Sequence, residues 1–92
     1  MEQKEIKIKA NDAELKGVYS NLVQIGHTRE EFCLDFLNVF PPQGMLVSRI
    51  ILNPGHIKRL IKALQENMAK YEGQFGRVEP AKEPETTLGF QP

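Results

Sequence analysis

Two neighbouring stretches, Phe32–Phe40 (FCLDFLNVF) and Met45–Leu52 (MLVSRIIL), carry apolar residues at both odd and even positions. A strand sends alternate side chains to opposite faces, so segments of this kind need cover on both sides. In the first, Phe32, Leu34 and Phe36 oppose Cys33, Leu37 and Val39; in the second, Met45, Val47 and Ile51 oppose Leu46, Ile50 and Leu52. Pro41-Pro42-Gln43-Gly44 between them stops one strand and turns the chain into the next. After the second strand comes an amphipathic helix over Asn53–Phe75, with Ile57, Leu60, Ile61, Leu64, Met68, Tyr71 and Phe75 on one stripe, about 100° wide as for a helix with a single buried face. Asn53 suits the N-cap, Pro54 the first helical position, and Gly73 or Gly76 the end. One such stripe covers one face of a small sheet. The other face requires a second cover, and another copy of the same chain is the economical one.

Upstream, Ile6 and Ile8 alternate with Lys7 and Lys9, which predicts an edge strand over Glu5–Ala10 ahead of a turn at Asn11-Asp12. A further strand is expected over Leu15–Ile25, with Gly17 at a bulge. Thr28 followed by Glu31 has the spacing to cap a single helical turn. The fold class expected is α+β: a four-stranded, mainly antiparallel β-meander followed by one long C-terminal helix packed on the sheet, assembled as a homodimer. Residues 1–76 form the domain, and residues 77–92, rich in proline and charge, a flexible tail. Leu64 lies mid-stripe, so an aspartate there is expected to unfold the domain.

With 92 residues there is room for one domain. Cys33 is the sole cysteine, so no internal disulfide forms, which fits a reducing compartment. The charged start, Met1-Glu2-Gln3-Lys4-Glu5, does not read as a secretory leader, and no apolar run reaches the ~20 residues of a membrane span. A cytoplasmic protein is expected. Twelve acidic residues balance twelve basic ones, which argues against nucleic acid or an anionic membrane as a general partner.

Few residues offer chemistry. Cys33 sits in an apolar strand without a spaced base and reads as a small buried hydrophobe, and His27 and His56 form no metal-ligand spacing. No catalytic, cofactor or metal residues are assigned. If the central hairpin pairs residue 40 with residue 44, Asp35 stands across from Arg49 as a cross-strand ion pair. His56, Lys58, Arg59 and Lys62 gather cations at the helix start, where the dipole prefers acids, and are candidate contacts for an anion or nucleic acid. Leu88 and Phe90 in the tail form a candidate docking peptide for another protein.

Tyr19-Ser20-Asn21 with Val23, Glu31-Phe32, Leu34-Asp35-Phe36, Ser48-Arg49-Ile50, Asn53-Pro54 with His56, then Leu60, Leu64, Tyr71-Glu72 and Phe75-Gly76 succeed one another in a set order and spacing. Over residues 19–76 this pattern resembles a family of small bacterial and archaeal proteins catalogued as domain of unknown function 3467. The resemblance implies a stand-alone soluble cytoplasmic domain and no known enzyme class; the proline-rich loop at residues 40–44 departs from it. The function expected is a homo-oligomeric protein-interaction or accessory module, with no cofactor. Two alternatives stay open: a nucleic-acid-binding or regulatory protein using the basic helix start, and a small-ligand protein or minor enzyme around Asp35, Arg49 and His56.

Overall fold

The computed structural model describes residues 5–82 and Gly89. Along the chain come α1 (Asp12–Lys16), β1 (Leu22–His27), β2 (Phe32–Phe40), β3 (Gln43–Leu52) and α2 (Pro54–Phe75). Among the described residues the strands form one antiparallel sheet in the order β1-β2-β3, so the architecture there is α+β with three strands rather than four. Residues 5–10 are irregular, and Ile6 and Ile8 are more than four-fifths exposed. Among the described residues no strand pairs with this segment, and period-two patterning alone does not make a ladder. The strand expected from Leu15 begins only at Leu22; its first residues belong to α1 and to the turn at Gly17, whose φ of 77° suits glycine.

Between Leu22 and β2 the side chains complete what the backbone leaves undone. The Asn21 amide donates to the Val39 carbonyl and accepts from the Val39 N–H, both at 2.8 Å. A carboxamide has the donor and acceptor of a peptide unit, so Asn21 stands in for one more ladder residue. Beside it the Asn21 N–H and the Ser20 hydroxyl both reach the Leu37 carbonyl. The β1–β2 connection closes in the same manner. Thr28 does not start a helical turn: its hydroxyl accepts from the Glu30 and Glu31 N–H groups inside a hairpin loop, and its own N–H donates to the Glu31 carbonyl. The His27 ring stacks on that of its cross-strand partner Phe32.

The β2–β3 hairpin turns on Pro41-Pro42, joined by a cis peptide, and pairs Phe40 with Gln43 rather than with Gly44. Carried on regularly, that register sets Ser48 opposite Asp35. A bulge intervenes between the pairs Leu37–Leu46 and Phe36–Ser48, leaving Val47 as the extra residue, and beyond it Asp35 faces Arg49. The bulge also re-sorts β3. Leu46 shares the face of Arg49 and Ile51, and Met45 shares that of Ser48, Ile50 and Leu52, which corrects the simple alternation expected for this strand.

Asn53 caps α2 as expected, accepting from the His56 N–H at 2.7 Å, and Gly76 at φ 97° ends it. The packing differs from expectation. Ile57 is buried and Leu60 half-buried, but Ile61, Leu64, Met68, Tyr71 and Phe75 are 48–65% exposed. The helix therefore meets the sheet only through its first turns and does not lie across it. Among the described residues the buried apolar side chains are Leu34, Leu37 and Ile57. Replacing Asn21 with Ala removes both bonds to Val39 and should cost about 1 kcal/mol in urea unfolding. Serine, whose single short hydroxyl cannot face the Val39 N–H and carbonyl at once, should not restore it.

Candidate functional site

The described polar side chain most withdrawn from water is Asp35, 7% exposed at the middle of the central strand. A carboxylate in that position needs a partner, and the β3 bulge delivers one. Arg49 meets it fork to fork, with Nε 2.6 Å from Oδ1 and Nη2 2.9 Å from Oδ2. Two parallel charge-assisted bonds fix both planes and suit Arg, not Lys. The Cys33 thiol lies 3.5 Å from Asp35 Oδ1, in position to donate on the same face. The Arg49 side chain itself remains about half exposed.

These contacts set the ionisation of the group. The hydrogen bonds from Arg49 hold the Asp35 carboxyl below its ordinary range, and Asp35 in turn raises Arg49. Burial, then the nearby carboxylate, pushes the Cys33 thiol up. A thiol held protonated is a poor nucleophile; Cys33 is half-buried, not the fully buried side chain expected from the sequence. His56 is drawn elsewhere, its Nδ1 3.1 Å from Arg59 Nη2 one turn along the helix. Asp35 and Arg49 thus form a closed pair, with His56 engaged on its own element.

Lys58 and Arg59 are exposed at the start of α2, with Lys62 one turn on, and the first turn carries no acid. Among the described residues, no group of three or more His, Cys, Asp and Glu side chains comes together as metal ligands would. Leu88 and Phe90 lie outside the described residues. No described helix is long and apolar enough to cross a membrane.

The feature that residue-type reasoning missed is an apolar one. Along the outer part of α2, Leu64, Met68, Tyr71 and Phe75 line a shallow open hollow rimmed by Asn67, Lys70 and Gln74. Tyr71 and Phe75 hold their rings 4.9 Å apart, tilted, one turn from each other. The stripe itself was legible in the sequence; its lack of a cover within the protomer was not.

The profile of one family, described as a protein of unknown function (DUF3467), matches residues 1–80, more than the span 19–76 marked by the sequence motifs. No curated protein and no solved structure matches the chain.

The Asp35–Arg49 pair makes stability depend on acid. Because the folded carboxyl titrates below the unfolded value of about 3.9, its contribution is complete above that pH and is lost as pH falls through the lower folded value. Asp35→Asn should be less stable than the parent at pH 7, and the two melting temperatures should converge as the pH falls below the ordinary carboxyl range. Parallel curves across that range would show that the pair does not set the acid limb.

Proposed function

The chain belongs to DUF3467, a family of proteins of unknown function, and we propose that it works as a homo-oligomeric interaction module whose core is completed by a second copy. The observation that carries this reading is the uncovered stripe of α2. Five large apolar side chains, Ile61, Leu64, Met68, Tyr71 and Phe75, stand about half exposed on one line. A chain of this size is marginal even when it buries its apolar surface well. Here the sheet also shows Ile25, Phe40, Met45, Ile50 and Ile51 at 41–67% exposure.

Magnitudes indicate how much of this surface must be used. Covering the remaining half of each helix side chain is worth about 1 kcal/mol, hence about 10 for the two stripes of a dimer. Association costs about 4–15 kcal/mol in lost freedom. The helices alone roughly break even, so a stable assembly recruits exposed sheet residues as well.

Static light scattering at micromolar concentration should give a mass of twice 10.5 kDa. A protomer mass under those conditions overturns the reading. The expectation that Leu64→Asp unfolds the domain is revised, since Leu64 is 61% exposed within the protomer. The variant should instead keep the strand and helix signals of circular dichroism at low concentration while its dimer dissociation constant rises by a factor of about a hundred or more, about 3 kcal/mol.

A further inference from the structure

We propose that two copies pair through α2 as an antiparallel two-stranded coiled coil, with Lys58 of each copy beside Glu72 of the other. This rests on the self-association reading above and specifies its interface. The apolar positions 57, 61, 64, 68, 71 and 75 are separated by four, three, four, three and four residues. That is the heptad spacing of a supercoiled seam, narrower than the stripe of a helix lying on a sheet. Ile61, Met68 and Phe75 occupy the a positions, and Ile57, Leu64 and Tyr71 the d positions. Ile57 is already buried in its own protomer, while the next five are exposed. The free part of the seam is therefore the part that leaves the sheet.

Charge gives the direction. The flanking e positions are Lys58, Gln65 and Glu72, and the g positions are Leu60, Asn67 and Gln74. Residues at e and g decide partner orientation in coiled coils. A parallel pair sets e beside g of the other chain, which brings no opposite charges together here. An antiparallel pair sets e beside e, so Lys58 meets Glu72 twice about the two-fold axis and Gln65 meets its own copy. The same register stacks Ile61 on Tyr71 and Leu64 on Met68. Glu72 accepts from the Val78 N–H through Oε2, and Oε1 takes no part in that bond. From Ile57 to Phe75 the helix rises about 27 Å. The outer end of each helix then lies beside the base of the other, where Ile57 is already covered by its own sheet and Phe75 is left to the exposed apolar residues of that sheet.

The test is a charge exchange read by sedimentation equilibrium. Lys58→Glu and Glu72→Lys alone should each raise the dimer dissociation constant about tenfold at low salt, as two reversed surface pairs imply. The double variant Lys58→Glu/Glu72→Lys should return it to the parent value. Within a protomer Lys58→Glu improves the match to the helix dipole, so weakened pairing in that variant does not trace to a weaker helix; Glu72→Lys also gives up the bond from the Val78 N–H, and recovery in the double variant, which lacks that bond too, separates the two effects. Orientation is read separately: Gln65→Cys in a Cys33→Ala background should cross-link with a short bis-maleimide, since the two cysteines share one flank only in the antiparallel pair. A dimer that ignores both single variants and resists cross-linking overturns this interface and leaves self-association standing, through an open strand edge for instance. A protein that stays monomeric overturns both.

Discussion

Register in this sheet is governed by Asp35 and Arg49. The proline turn imposes one alignment at the loop end of the β2–β3 hairpin, and the ion pair requires another, one residue out of step, in its body. A regular ladder satisfies only one of them. Arg49 would then project to the opposite face and leave a buried carboxylate without its charge partner, a far larger penalty than an interrupted ladder. The chain resolves the conflict at Val47, where an extra residue is held out of the pairing. The placement of Leu46, Met45 and the later isoleucines on their faces descends from that adjustment.

The sheet so aligned is small, and its helix leaves it early. After Ile57 and Leu60 the helix carries its apolar side chains away from the surface of its own protomer that could cover them. Beyond Leu60 the helix is held within its own protomer by its backbone ladder and its caps rather than by packing on the sheet. The geometry of α2 and the sparse interior of the sheet are thus one fact: apolar surface is divided between two places that do not meet within a single protomer.

How far the sequence disclosed this varies from element to element. The helix was plain, because a proline-flanked cap and a long periodic stripe agree with each other. The faces of β2 and the partnership of Asp35 with Arg49 were also legible, though the pairing was inferred from a hairpin register that does not occur and reached through a bulge that local residue types do not announce. The N-terminal alternation misled. Ile6 and Ile8 have strand spacing, but a strand exists only where another offers its edge, and that is a tertiary condition. The exposed stripe was hidden for a related reason: a helical wheel shows which side of a helix seeks cover, not whether its own sheet extends far enough to give it.

Asn21 has one further implication. At the corner where β1 gives out, the outward N–H and carbonyl of Val39 are both occupied by its carboxamide. Unclaimed peptide groups of that kind recruit stray extended segments and seed fibrils. The carboxamide acts as a stopper, closing to runaway polymerisation the part of the central strand that its neighbour is too short to guard.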